Sequence, residues 1–288
     1  MKNRGNYTLK SSAIRKLFDH GLLCSICIIV ILAFVLIAIF APLLTPYGPT
    51  EQIPEDRFAS FSTKHLLGAD HLGRDLLTRL MYGARISLLT SLLSTLIAAA
   101  VGLALGLIAG YFGGTIGAVI MRLMDAQISI PPLILTMVLA TLFGGGIQGV
   151  SIVIGIAMVP TYVRMVNAMV ISLKSNDYIM ASKIIGQSNS KILLRHLLPN
   201  CFPSLIVLIT MNLGNAIMLE ASLSYLGIGI TPPTPAWGSM VSEGYNYLMS
   251  YPSIAILPGL CVLLIVVSFN IVGDVLRDSL DPRLRGKL

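Results

Sequence analysis

From Gly21 to Phe40 the chain runs twenty residues without a charge, then leaves through Ala41-Pro42. A helix rising 1.5 Å per residue crosses the roughly 30 Å of a bilayer core in about 20 residues, so this stretch predicts a first membrane span. A cleaved leader is the other reading, but its apolar region is typically about 7 to 15 residues long and ends on a small-x-small site. This run ends Ile39-Phe40-Ala41-Pro42 instead. Ile86 to Met121 is again free of charge and too long for one helix. Tyr111-Phe112-Gly113-Gly114 predicts the turn between a second and a third span. Gly102, Gly106 and Gly110 stand four apart, line one helix face and predict a close helix-helix seam. The third span carries Arg122 and Asp125, three apart and predicted to pair, and Pro131-Pro132 predict a kink in it. Further spans are predicted at about Val150 to Val170, Pro199 to Leu223 and Tyr251 to Gly273.

The charges fall between these runs. Lys2, Arg4, Lys10, Arg15 and Lys16 precede the first; Arg164 marks the basic end of the fourth, and Lys174, Lys183, Lys191 and Arg195 sit between it and the fifth; Arg277, Arg283, Arg285 and Lys287 close the chain. Between Thr45 and Arg85, by contrast, five acids (Glu51, Glu55, Asp56, Asp70, Asp75) balance five bases, and residues 227–250 hold Pro232, Pro233, Pro235 and Trp237 but no Lys or Arg. Basic loops stay in the cytoplasm. The prediction is therefore an all-α, polytopic membrane protein with six transmembrane helices and both termini cytoplasmic. Its parts are a cytoplasmic segment 1–20, a first span 21–44, an outer loop 45–85, a five-helix core 86–275 and a cytoplasmic tail 276–288. The core contains a cytoplasmic loop 171–198 and an outer loop 227–250.

Composition agrees and removes several functions. Of 288 residues, 55% are hydrophobic and 11% charged, against roughly 25% charged in soluble domains. Six spans nearly exhaust the chain, which leaves no room for a globular catalytic head. The net charge of +7, from 20 bases and 13 acids, is used up by the basic flanks, with no interleaved aromatics or module that would bind nucleic acid. Cys24 and Cys27 form a CxxC without two further zinc ligands, and His20, His65, His71 and His196 are scattered. No catalytic, cofactor or metal residue is therefore expected in this chain. Gly144-Gly145-Gly146-Ile147-Gln148-Gly149 spells GxGxxG but lies between two spans with no preceding strand, and no GxxxxGK[ST] occurs. Any ATP-driven role requires partners.

The informative element is Asp177-Tyr178-Ile179-Met180-Ala181-Ser182-Lys183-Ile184-Ile185-Gly186, followed by Ile192 and Arg195-His196-Leu197-Leu198-Pro199-Asn200. Its apolar spacing (Tyr178, Ala181, Ile185) predicts a short amphipathic helix, a sharp turn at Gly186, and a second helix whose Pro199 begins the next span. Such a rigid knob suits a groove in a partner. Glu220, near the far end of the fifth span, is either a ligand for an ammonium group or metal, or a carboxylate at the outer interface reaching water. Arg122 and Asp125 are either a structural pair or part of a pathway.

This loop resembles the EAA motif (Glu-Ala-Ala, three residues, Gly, nine residues, Ile-x-Leu-Pro) of permease subunits of binding-protein-dependent ABC importers. Ala181, Gly186, Leu198 and Pro199 match; Met180, Ser182 and His196 depart from Glu, Ala and Ile. Three further segments resemble the dipeptide, oligopeptide and nickel branch: His65-Leu66-Leu67-Gly68-Ala69-Asp70-His71-Leu72-Gly73-Arg74-Asp75, then Glu220 to Gly227 with Pro232 to Gly238, then Gly273 to Arg283. The resemblance implies a subunit of the bacterial cytoplasmic membrane that pairs with a second, homologous permease. Two cytosolic ATPases, which bind ATP and Mg, would lie beneath it, and an extracytoplasmic solute-binding protein would deliver substrate. Asp177, Tyr178, Ala181, Ser182, Gly186, Arg195, His196 and Pro199 would couple it to the ATPases. The implied cargo is di- or oligopeptides, with nickel or a metal chelate as the alternative. A secondary transporter is the rival class, and predicts inverted repeats that this sequence does not display.

Overall fold

The computed structural model describes residues 22–280; the basic stretch of segment 1–20 and Arg283, Arg285 and Lys287 of the tail lie outside the described residues. Among the described residues ten α-helices follow one another: α1 (Leu22–Leu44), α2 (Leu76–Phe112), α3 (Gly114–Ile128), α4 (Pro132–Phe143), α5 (Gly146–Lys174), α6 (Asp177–Ile184), α7 (Asn189–Ile192), α8 (Leu198–Tyr225), α9 (Trp237–Tyr245) and α10 (Ser253–Leu280). A π-helical turn, Leu193–Leu197, joins α7 to α8, so Asn189 to Tyr225 is one long rod. Among the described residues five rods are long and apolar enough to cross a membrane. A sixth crossing is made if α3 and α4, bent by 96° at Ser129 to Pro131, count as one broken span. The end of the bundle carrying residues 45–75 is called upper below, and the end carrying α6 lower.

The predicted turns fall where the glycines are. Gly113 (φ 62°) and Gly114 (φ 51°) end α2 and start α3, and Gly144 (φ 77°) and Gly146 (φ 82°) separate α4 from α5. The predicted kink at Pro131-Pro132 is a full break, because Pro132 sits at the start of a new helix where its missing N–H costs nothing. Other boundaries move. The helix α2 begins at Leu76 rather than at Ile86, so the loop predicted over 45–85 ends at residue 75. The Asp75 carboxylate caps this start by accepting from the Thr78 backbone N–H at 2.7 Å. Pro199 does not begin a helix either, since the rod from Asn189 runs through it by way of the π turn. The predicted outer loop 227–250 is not a free loop: it contains α9, whose Trp237 is fully buried, donates from Nε1 to the Leu80 carbonyl at 3.1 Å and meets Phe34 edge-on at 5.4 Å.

The glycine seam sets the packing of the core. A Cβ on Gly106 would stand 2.6 Å from Cβ of Val166, one on Gly110 2.7 Å from Cβ of Val170, and one on Gly102 would overlap Tyr162. Because positions 102, 106 and 110 meet 162, 166 and 170 in the same order, α2 and α5 run parallel. The α3–α4 pair supplies the return between them. Small residues let the two backbones approach closely where lipid offers no hydrophobic drive. Around this pair, Ala98, Ile154, Tyr162, Leu205 and Leu223 form the central core.

Candidate functional site

At the lower end, α6 is held by one side only. Ile179 is fully buried and Ser182 nearly so, whereas Asp177, Tyr178, Met180, Ala181 and Lys183 are exposed. The apolar stripe read from the sequence, Tyr178, Ala181 and Ile185, thus faces out, while the 179/182 side packs down. The reason is local, since Ile179 joins Ile192, Leu197 and Cys201 against Leu107, Tyr111, Val166 and Val170, a deeper apolar seat than the 178/181/185 side finds. The Ser182 hydroxyl donates to the Tyr178 carbonyl at 2.8 Å, which removes its own need for water. Gly186 adopts φ 79°, where an L side chain is strained; its N–H donates to the Lys183 carbonyl at 3.0 Å, and that of Gln187 to the Ser182 carbonyl at 3.1 Å.

The chain then doubles back. His196 Nε2 lies 3.1 Å from the Gln187 side-chain oxygen and its ring 6.4 Å from that of Tyr178, so Tyr178, Ser182, Gly186 and His196 form one small structure. Arg195 and Pro199 are exposed on the following turns. The knob is anchored by Tyr111, which the sequence marked only as part of a turn, and by Asn189, which it did not single out. The Tyr111 hydroxyl donates to Asn189 Oδ1 at 2.7 Å, the Tyr111 carbonyl accepts from Lys174 Nζ at 2.6 Å, and Lys183 lies 5.2 Å from the Tyr111 ring centroid. Ile184 and Ile185, 87% and 77% exposed, project from the end of α6. They lie between two candidate spans, and adjacent exposed isoleucines there form a candidate contact surface. Their adjacency just before Gly186 was the sequence signal.

The other two predictions change. Glu220 does not reach water at an outer interface: it is fully buried, because the chain after Tyr225 folds back over it. Its Oε1 accepts from the Ser224 hydroxyl at 2.8 Å, while Ser224 Oγ in turn accepts from the Ile230 N–H at 3.0 Å; Oε2 has no hydrogen-bond partner. Arg122 and Asp125 do not pair. Asp125 accepts from Arg164 of the neighbouring α5 at 2.6 Å, and Arg122 is exposed and takes no ion pair among the described residues.

The upper end holds a buried charge network that sequence spacing revealed only in part. Arg74 and Arg79, each at most 2% exposed, both reach Glu243 of α9, at 3.0 Å and 2.8 Å, and both face Asp70. His65 is 2.8 Å from Asp75 and 3.2 Å from Asp56. Burial works against charge on His65, but its hydrogen bonds to Asp75 and then Asp56 outweigh it, and its pKa stands above the ordinary 6.5. Hydrogen bonds from Lys64 and then His65 hold the Asp56 carboxyl below its usual range. The network ties residues 56–79 to α9. Glu243 escaped the sequence reading because it is the single charge in a long uncharged stretch, more than 160 positions from its partners. Among the described residues no three His, Cys, Asp or Glu side chains gather as a metal site would need.

Residues 102–286 match the family described as "Binding-protein-dependent transport system inner membrane component", and residues 13–62 match "N-terminal TM domain of oligopeptide transport permease C". The chain is 44% identical over 273 residues to the dipeptide transport system permease protein DppC of Escherichia coli strain K12, covering 93% of this chain and 90% of that one. It is 40% identical over 257 residues to the glutathione transport system permease protein GsiD of Salmonella typhimurium strain LT2, covering 89% and 85%. The fold is similar to a chain of the MetNI methionine ABC transporter in an inward facing conformation, with a TM-score of 0.57 at 20% identity over 72% of this chain and 98% of that one.

Proposed function

The chain belongs to the family of binding-protein-dependent transport system inner membrane components, and from that premise we propose that it conducts di- or oligopeptides across the membrane, driven by ATPases that it does not itself contain. It is a permease subunit of an ABC importer, a multi-pass protein of the bacterial inner membrane. The peptide cargo rests on the similarity to dipeptide and glutathione permeases. The partners proposed are a second homologous permease, two cytosolic ATPases that bind ATP and Mg, and an extracytoplasmic solute-binding protein at the upper end. The lower knob, from Asp177 to Pro199, is the ATPase coupling element: Tyr178, Ala181 and Gly186 form its outward face, Ser182 and His196 brace it, and Asp177 and Arg195 set the charges that orient the partner.

The observation that supports the coupling role best is Ile184 and Ile185 projecting at 87% and 77% exposure from a helix whose opposite side is locked to the bundle. A lever must be rigid on one side and adhesive on the other. We expect Ile184→Asp with Ile185→Asp to leave membrane insertion intact and to remove the ATPases from the purified complex, since central apolar anchors contribute about 2 kcal/mol or more each to an interface. Affinity purification in mild detergent with mass spectrometry measures this. Undiminished recovery of P-loop ATPases and normal uptake would refute the coupling role, and recovery of the wild-type chain alone would refute the importer assembly.

A further inference from the structure

At the break between α3 and α4 lies a recess of about 330 Å³ lined by Pro132, Met158, Thr161, Asn212, Asn215 and Met218. Thr161 is near the middle of α5, about 22 Å from Gly146 and about 20 Å from Lys174 along the axis, so the recess sits deep in the membrane. Asn212 donates from Nδ2 to the Leu208 carbonyl at 2.9 Å and accepts at Oδ1 from Asn215 Nδ2 at 3.3 Å. Asn215 and Thr161 are exposed, and the hydroxyl of the buried Tyr162 stands beside Asn212. Polar groups at that depth face protein or water, because in hydrocarbon each unmatched group is costly.

A second observation points the same way. Arg164, three residues beyond Thr161 and hence on the same face of α5, makes its 2.6 Å pair with Asp125 while the two remain 48% and 44% exposed. An ion pair left half open within a span is tolerated on an aqueous or protein-covered face and not against lipid chains. The polar strip Asn215, Asn212, Thr161, Arg164 and Asp125 therefore runs along one side of the bundle.

We propose that this strip is the wall of the solute pathway and that Thr161, Asn212 and Asn215 hold the transported peptide by its backbone amides. This rests on the peptide reading above. A primary amide offers one C=O and one N–H pair, the complement of a peptide unit, and the recess adds a hydroxyl but no charge. Such a site binds peptides without regard to their side chains. It lacks the carboxylate or imidazole that a nickel ion would require.

The test uses the assembled importer in its membrane, with Asn215→Cys as probe and a charged, water-soluble thiosulfonate as reagent. We expect Cys at 215 to be labelled and the labelling to slow several-fold while dialanine is turned over with ATP. Asn215→Leu should raise the apparent KM for dialanine by about tenfold, the worth of one or two neutral hydrogen bonds, with Asn215→Gln recovering most of it. Where Asn215→Cys does not assemble, Thr161→Cys takes the same measurement. Cys that is not labelled, or is labelled at the same rate with and without peptide in an importer that transports dialanine, overturns the pathway site. A wild-type complex that imports no dipeptide overturns the peptide reading instead.

Discussion

His65 shows how one side chain gains its meaning from two neighbours that are far from adjacent in sequence. Each imidazole nitrogen faces a carboxylate, Nδ1 toward Asp75 and Nε2 toward Asp56. A neutral ring donates from only one nitrogen, so both contacts are hydrogen bonds only when the ring is protonated. The raised pKa of the folded form gives the sign: the stabilisation is fully present below the ordinary value of 6.5 and disappears as pH rises through the higher folded value. His65→Asn should therefore destabilise the protein by about 1 to 3 kcal/mol at mildly acidic pH, and the gap from wild type should narrow as pH rises through that higher value. Thermal unfolding of the purified protein across that range checks this. A gap independent of pH would mean that the ring acts by packing against Tyr47, which stacks on it at 5.2 Å, and not by charge. The same lesson covers the predictions that changed. Asp125 has Arg122 one turn away, yet Arg164 on another helix takes it, and Glu220 is enclosed by residues that follow a turn at Gly227. Spacing along the chain shows which groups can meet, and tertiary packing decides which do.

Among the elements, the helices themselves were legible because apolar length and glycine turns are local properties. The runs without charge, the Gly113-Gly114 turn and the proline break all lie where the sequence put them. The start of α2 was not, since Arg79 and Arg85 look like loop charges until Glu243 neutralises Arg79 from α9. The Gly102-Gly106-Gly110 face was legible too, but its partner was not: nothing in one sequence shows that α5 lies parallel beside it. Gly106→Ala tests that pairing. Its methyl would stand 2.6 Å from Cβ of Val166 and 3.0 Å from the Val163 carbonyl, so the two rods must separate. We expect a loss of about 1 to 3 kcal/mol, the usual cost of overpacking, visible as lower membrane abundance and a lower Tm. An unchanged Tm would show that α2 and α5 have slack between them. The seam then could not carry movement from the lower knob upward.

On the scale of the whole molecule the two ends differ in kind. The lower end presents apolar side chains outward on a braced knob, whereas the upper end is closed on itself by buried charge and stacked rings, Phe58 on Tyr251 at 4.2 Å and His71 on Tyr247 at 5.2 Å. Glu243 is the point on which that closure turns, because each of its oxygens takes a different arginine. Removing one member of a buried ionic cluster costs about 3 to 5 kcal/mol, since the charges left behind have no water. Glu243→Ala leaves two guanidiniums within reach of a single carboxylate, Asp70, and should lower Tm markedly and expose residues 56–79 to added protease. Glu243→Gln keeps one acceptor oxygen and turns an amide N–H toward the other arginine, so it should fall between the two. If both variants unfold like wild type, the cover is held by its rings and the arginines are spectators. If they unfold early while the lower knob still retains its ATPases, the ends are separately stabilised, and coupling between them must be carried by the rods that run the length of the bundle, among them α2 and α5 packed side by side.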